Sequence, residues 1–297
     1  MKRLIVLGAN GMLGSEVSRV ARESGLKVIE VSRSSYVPFE AESMDFDQVA
    51  IELGLGDTDW LVNCIGWIPQ KSSGDEVADA HLAELLNTSL PDQISRSQKK
   101  HGFHWIQIGT DCVFDGKSGG YTELSPKNGT DLYGRSKIAG EALSDGAIQI
   151  RCSIVGRDVR THSGIYSWFK SAIRGGKVSG YTNHRWNGVT TTAFARLAVG
   201  LVSQNWTQPI DQHWIPKDVV SKHGLLQLFA GSLGEKPGDV KRTDASETVD
   251  RGLGTVNPEV NSQLWTIAGY PQVPSIESLC QEFIEIDREL GFSNEQK

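Results

Sequence analysis

Cysteine is scarce in this chain of 297 residues. There are four, Cys64, Cys112, Cys152 and Cys280, and no two form a C-x-x-C pair. That excludes a disulfide scaffold, and the four are expected to be reduced and mostly buried. Long apolar runs are also missing: nothing approaches the ~20 residues that a membrane-spanning helix requires. The opening Met1-Lys2-Arg3-Leu4-Ile5-Val6-Leu7 has the charge of a leader, but its apolar run is short and glycines follow at once, so a strand is expected there. Positive charge is in deficit, with 30 Lys and Arg against 36 Asp and Glu, net −6. Nucleic acid and anionic membrane surfaces are therefore disfavoured as partners. No repeat and no low-complexity tract interrupts the chain. These exclusions leave a folded cytoplasmic enzyme as the expectation.

Short apolar runs alternate with amphipathic segments through the first half. Leu4–Leu7, Lys27–Val31, Trp60–Ile65, Trp105–Ile108 and Ala147–Val155 read as strands, and Gly14–Glu23 as the first helix. Strands alternating with helices imply βαβ units and an α/β fold with a doubly wound parallel sheet. Beyond Gly156 the pattern changes: Ile165–Ile173, Thr192–Val202, Val220–Leu228 and Ile276–Leu290 read as helices, and the polar stretch from Gly231 to Asn261 as loop-rich. The expected division is residues 1–155 as one unit, joined by a returning helix near 190–204, and 156–297 as a smaller, mostly helical unit.

The first strand runs into Gly8-Ala9-Asn10-Gly11-Met12-Leu13-Gly14. Glycines at this spacing, between a strand and a helix, permit a tight turn and let backbone N–H groups approach a pyrophosphate, where the helix N-terminus adds partial positive charge. Gly8, Asn10, Gly11, Met12, Leu13 and Gly14 are thus expected to hold a dinucleotide. At the end of the second strand, where a carboxylate would bond the 2′-hydroxyl of NAD, stand Ser32 and Arg33. Serine and arginine suit a 2′-phosphate, so NADPH is expected over NADH.

Tyr133 and Lys137 lie four residues apart in Tyr133-Gly134-Arg135-Ser136-Lys137, on one face if helical, with Asp131 or Thr130 placed to cap. A nearby ammonium lowers a phenol's pKa and makes it a useful acid. Thr110 follows the fourth strand, at the end of the sheet where such folds place their sites. These three are the expected catalytic residues: Tyr133 gives a proton to a carbonyl oxygen, Thr110 hydrogen-bonds the same oxygen, and Lys137 supports the tyrosine and the cofactor ribose. His101 and His104 lack a third ligand, so no metal site is expected.

These residues resemble the extended short-chain dehydrogenase/reductase superfamily, and within it the dTDP-4-dehydrorhamnose reductase-like nucleotide-sugar reductases. Gly8–Gly14, Asn63-Cys64, Thr110–Gly116, Tyr121-Thr122-Glu123, Pro126, Tyr133–Lys137 with Gly140-Glu141, and Arg151-Cys152-Ser153 carry the resemblance. It covers the first half well and the second loosely. It implies a Rossmann-type sheet, a catalytic Thr110, Tyr133 and Lys137, and a cofactor pocket lined by Asp45, Phe46, Asn63 and Cys64. It further implies an Asn87 that buttresses the site, and arginines of the second half (Arg242 or Arg251) that hold a substrate diphosphate. The implied reaction is NADPH-dependent reduction of the 4-keto group of a nucleotide-diphospho-4-keto-6-deoxy sugar, for deoxysugar and surface polysaccharide synthesis; a homodimer is compatible with it. Two departures stand out. Ile154 and Gly156 replace the family's frequent Trp and Tyr, which alters the sugar pocket, and Asp111-Cys112 replaces the Asp-Glu pair of 4,6-dehydratases, which disfavours elimination. An epimerase and a non-catalytic NADP-binding regulatory subunit are the rival readings. The segment Asn183–Gly188 offers Trp186 either for stacking on a ligand or for packing, while Tyr166, Trp168 and Phe169 are expected in the core.

Overall fold

The computed structural model describes residues 2–158 and 164–291. Its main sheet has six strands, β1 (Arg3–Leu7), β2 (Lys27–Val31), β3 (Trp60–Asn63), β4 (His104–Gly109), β5 (Ile148–Arg151) and, from the second half, β10 (Ile210–His213), in the order β10-β5-β4-β3-β1-β2. All neighbours are parallel. Helices α1 (Met12–Glu23), α2 (Phe46–Leu53), α3 (Glu76–Ala83), α4 (Leu90–His101) and α5 (Leu132–Leu143) connect the first five strands, and α3 runs into α4 through a π-helical turn, Glu84–Ser89.

Alternation along the strands sorts the core into two layers. Leu4, Val6, Trp60 and Val62 pack with α1 and with α7 (Thr191–Gln204), which begins directly after the two-residue strand β9 (Val189–Thr190). Ile5, Leu7, Leu61 and Trp105 face the other way, onto α2 and α4. Both faces are covered, as a parallel sheet requires. The helix expected near 190–204 is therefore the second wall of the first-half sheet.

A separate apolar cluster supports the second half. Tyr166, Phe169, Leu225, Phe229 and Phe283 join α6 (Ile165–Arg174), α8 (Lys222–Leu233) and α10 (Ile276–Glu289). Two small sheets flank it, one pairing β7 (Val178–Tyr181) with β12 (Val240–Thr243), the other placing β8 (His184–Trp186) between β11 (Val220–Ser221) and β13 (Val249–Asp250). Helix α9 (Pro258–Ile267) packs its Leu264 and Trp265 back into the first-half core. Among the described residues no helix is long and apolar enough to cross a membrane.

Several expectations need correction. Ala147–Val155 is two strands, β5 and β6 (Ile154–Val155), because Arg151 turns into an ion-pair network and Ser153 O accepts from Val189 N. The segment expected as helix from Val220 starts as strand β11 and becomes helical only at Lys222, where Ser221 caps it. The stretch Gly231–Asn261 contains β12, β13 and the start of α9. Trp168 is 48% exposed on the outer face of α6, while Tyr166 and Phe169 are buried. Residues 292–297, the end of the expected second unit, lie outside the described residues.

Candidate active site

The glycine turn closes as its spacing demands. Gly8 has φ +83°, its N–H bonds Val31 O at 2.8 Å, and its O accepts from Gly11 N at 2.9 Å. A Cβ at Gly8 would lie 2.8 Å from Ile65 Cγ1, and one at Gly14 would collide with Gly8 O. Gly11 begins α1 without a side-chain cap. The amides of Met12, Leu13 and Gly14 have no intrahelical carbonyl to bond. The Leu13 side chain is buried in the core, so this residue can offer a ligand only its amide. Backbone donors and a helix N-terminus at an uncapped glycine suit a pyrophosphate.

Asn10 ties this turn to the loop after β2, its Nδ2 donating to Ser32 Oγ at 2.9 Å. Arg33 is 78% exposed, and its one ion-pair partner among the described residues is Glu40 at 3.9 Å, which leaves its guanidinium room to turn to a ligand. Two further expected pocket residues lie at the start of α2, and one of them, Phe46, is turned into the core. Asp45 caps α2, accepting from Asp47 N at 2.8 Å. Phe46 is fully buried against Phe39 and Phe103, with its N–H donated to Gln93 Oε1, and is a core residue. Asn63 is buried beneath the next loop: its Oδ1 accepts from Ile65 N, and its Nδ2 donates to Gln107 Oε1. It thereby shapes the Cys64–Gly66 segment that abuts Gly8. Cys64 is half-buried there, and burial pushes its thiol up.

Thr110, Tyr133 and Lys137 converge at the C-terminal end of β4. Asp131 caps α5, its Oδ1 accepting from Gly134 N at 2.6 Å. Gly134 and Gly129 pack against Cys112 O, where either Cβ would lie 2.5 Å away, so α5 sits tight against the Thr110 turn. Lys137 is buried and donates to Ile108 O at 3.2 Å. Burial lowers its proton affinity, opposed by the nearby Glu141. The Tyr133 phenol departs from expectation. Burial raises its pKa, the Thr110 hydrogen bond opposes that only in part, and the hydroxyl stays protonated at neutral pH. Thr110 Oγ1 accepts from Cys112 N at 3.2 Å and donates to Asp111 Oδ1 at 3.3 Å.

Asn87 supports this trio from the π-helical turn. Its Oδ1 accepts from Trp67 N, and its Nδ2 donates to Trp67 O and to Ser136 Oγ, each at 3.0 Å. A π-helical turn is a common device where one side chain must be aimed out of helical register. Gly140, one turn beyond Lys137, meets Asn87 O so closely that no side chain fits between them.

The second half adds two cations. Arg251 reaches the Thr110 turn, with Nε donating to Phe114 O at 3.2 Å, Nη1 3.5 Å from Cys112 Sγ, and Nη2 3.6 Å from Asp131 Oδ2. Arg242 lies exposed on β12, paired with β7 away from the Thr110 turn, so of the two arginines Arg251 is the one brought to the site. Lys222 was not foreseen. It opens α8, its Nζ is 5.8 Å from the centre of the Trp186 ring, and its charge is within electrostatic reach of Asp111, Cys112 and Arg251. Trp186 is buried and fixed by Nε1 donating to Ser153 Oγ at 2.8 Å, so packing is its role. A lysine in the first turn of a helix stands against the macrodipole, and that local conflict is the signal by which Lys222 could have been found. Cys112 is half-buried, with its thiol pushed up to about 12 by burial and by Asp111.

With this geometry the comparisons with known proteins agree on the fold. Residues 1–156 match the family described as the RmlD substrate binding domain, and the chain belongs to that family. It is 31% identical over 186 residues to a probable low-salt glycan biosynthesis reductase of Haloferax volcanii, covering 58% of this chain and 60% of that protein. It is likewise 31% identical over 147 residues to the dTDP-4-dehydrorhamnose reductase of Mycobacterium tuberculosis, covering 47% and 44%. The match thus spans about half the length of these relatives. A dTDP-4-dehydrorhamnose reductase from Bacillus anthracis, solved in complex with NADP, superposes with a TM-score of 0.73 at 19% identity, over 96% of this chain and 99% of that one. The α/β sheet with its second unit is therefore a shared fold.

Proposed function

We propose that the protein is an NADPH-dependent reductase of a nucleotide-diphospho sugar, acting on the 4-keto group of a 4-keto-6-deoxy hexose. The observation that carries this reading is the convergence of Thr110, Tyr133 and Lys137 at the sheet end beside the glycine turn. Gly8, Gly11 and Gly14, the amides of Met12 and Leu13, and Asn10 with Ser32 and Arg33 would hold the dinucleotide; when bound, the nicotinamide supplies hydride to the carbonyl carbon.

The residues do the rest. Thr110 and Tyr133 direct hydroxyl groups at the substrate oxygen, where negative charge develops. Tyr133 is neutral at physiological pH and so carries the proton that the oxygen needs. Lys137 stands one helical turn away, where its ammonium offsets the phenolate left behind. Arg251 brings a positive fork to the cleft side of the same turn, which suits an anionic substrate. The dTDP-4-dehydrorhamnose reductase among the relatives supports the sugar class, and Ile154 in place of an aromatic residue leaves the particular sugar to experiment.

The test is to mix the purified protein with NADPH and a panel of nucleotide-4-keto-6-deoxy sugars and follow loss of the reduced-nicotinamide absorbance. Turnover with one sugar, by this protein alone, supports the reductase reading against the regulatory-subunit reading. Interconversion of sugars without net NADPH consumption would instead identify an epimerase.

A further inference from the structure

Lys222 combines three unfavourable circumstances. It occupies the first position of α8, where the helix dipole disfavours a cation. It is half-buried beside Trp186. Among the described residues it makes no hydrogen bond and no ion pair within 4 Å. Its one contact there is the Trp186 ring face, which attracts the charge but accepts none of its three N–H donors, and a half-buried ammonium with unused donors is retained where something else accepts them. Within its electrostatic reach is Asp111, itself buried, with Oδ1 engaged by Thr110 and Cys112 and Oδ2 without a hydrogen-bond partner among the described residues. The two charges sense one another, yet no ion pair closes between them.

We propose that Lys222 and Asp111 grip one hydroxyl of the substrate next to the reacting carbonyl, Lys222 Nζ donating to its oxygen and Asp111 Oδ2 accepting its proton. The inference rests on the reductase reading for the identity of the substrate. A hydroxyl satisfies both partners at once, as acceptor for the ammonium and donor to the carboxylate. A phosphate satisfies only Lys222 and is repelled by Asp111, so the sugar ring, not the diphosphate, belongs between them. Asp111 directly follows Thr110 and is hydrogen-bonded to it, which puts the gripped hydroxyl beside the carbon that is reduced. The grip spans the two halves of the molecule, with Asp111 in the turn after β4 and Lys222 at the start of α8.

The experiment has two arms. In the first, Lys222→Met and Lys222→Arg are assayed with the sugar that the wild type reduces, and NADPH affinity is titrated as a control on folding. The Met variant is expected to raise the sugar KM about tenfold or more, with NADPH affinity unchanged, and Arg to recover part of the loss. A Met variant with KM within about twofold of wild type would overturn the proposal.

The second arm needs no turnover. Wild-type protein is treated with limiting amine-acylating reagent, and Lys222 acylation is quantified by mass spectrometry with NADP alone, with the bare nucleoside diphosphate, and with each nucleotide sugar. Protection by a nucleotide sugar but not by the bare diphosphate supports the grip, even where no sugar is reduced and the reductase reading falls. Equal protection by the diphosphate, or none by a sugar that is turned over, overturns it. No protection by any sugar, with no turnover, rejects both.

Discussion

At the scale of single residues, the proposed reading divides labour between Tyr133 as proton carrier and Arg33 as cofactor reader. Tyr133 is held neutral by burial and anchored by Thr110, so removing its hydroxyl deletes the acid and leaves the fold in place. Tyr133→Phe should lower kcat by about 10²-fold or more, the range typical of general acid catalysis, with NADPH affinity within about twofold of wild type; near-normal turnover would refute the role. Arg33 is exposed, and its nearest carboxylate is at ion-pair limit distance, so its loss costs the fold little. Arg33→Ala should weaken NADPH about tenfold while leaving NADH unchanged, a difference of about 1.4 kcal/mol. Parallel titrations of both cofactors against the variant decide it, and equal weakening of the two would remove the 2′-phosphate from Arg33's account. The closing of the glycine turn and the placing of Tyr133 and Lys137 on one helix were legible in the sequence, because both follow from local spacing; their chemistry is what the variants test. Lys222 was missed although its place in the first turn of α8 is a readable conflict with the helix dipole, because its neighbours Asp111 and Trp186 are distant in sequence. Phe46 misled for the converse reason: a family position does not show whether a side chain turns inward.

At the scale of elements, legibility followed apolar continuity. Strands β1, β3 and β4 are largely runs of buried aliphatic and aromatic residues, edge strand β2 keeps three aliphatics though only Val31 is buried, and each was anticipated within two residues. Strand β10 reads Ile-Asp-Gln-His and shows no such run. Its polar side chains are satisfied by distant partners: Gln212 Nε2 and His213 N both donate to Glu123 Oε1 at 2.9 Å. Glu123 also accepts from Thr255 Oγ1 at 2.7 Å and Val256 N at 2.9 Å, so one carboxylate staples the loop after β4, the sixth strand and the approach to α9. Helix α9 had a readable start, proline at its first position, but beyond Val260 its apolar residues are confined to the last turn. Burial pushes the Glu123 carboxyl up, yet these donors outweigh burial and hold it below its ordinary value. A depressed folded-state pKa means that the stabilisation is present above the unfolded value of about 4.3 and fades as pH falls through the folded one. Glu123→Gln should therefore destabilise by about 2 kcal/mol at pH 7. The gap between the two melting curves should narrow below about pH 4. A gap that stayed constant with pH would show that shape, not charge, makes the staple.

At the scale of the whole molecule, the family match ends at residue 156, but the packing does not. Strand β10 covers the β5 edge in four-residue register. Phe194, Leu197, Leu201 and Val202 of α7, together with Trp214 and Trp265, fill the layer against Leu4, Val6 and Val62. Arg151 of β5, fully buried, pairs with Glu141 of α5 at 2.6 Å and with Asp211 of β10 at 3.2 Å, so the helix that carries Tyr133 and Lys137 is held from the second half. Arg251 reaches the Thr110 turn from the same side. Cutting the chain after residue 156 would strip one sheet face, bare an edge strand and leave a buried guanidinium with one partner fewer, changes that favour aggregation over autonomous folding. A 1–156 fragment should accordingly lack a cooperative thermal transition and lose NADPH binding. A soluble fragment that melts cooperatively and binds NADPH within about tenfold of the full chain, some 1.4 kcal/mol, would show that the glycine turn and its sheet stand alone and that the second half serves only the sugar.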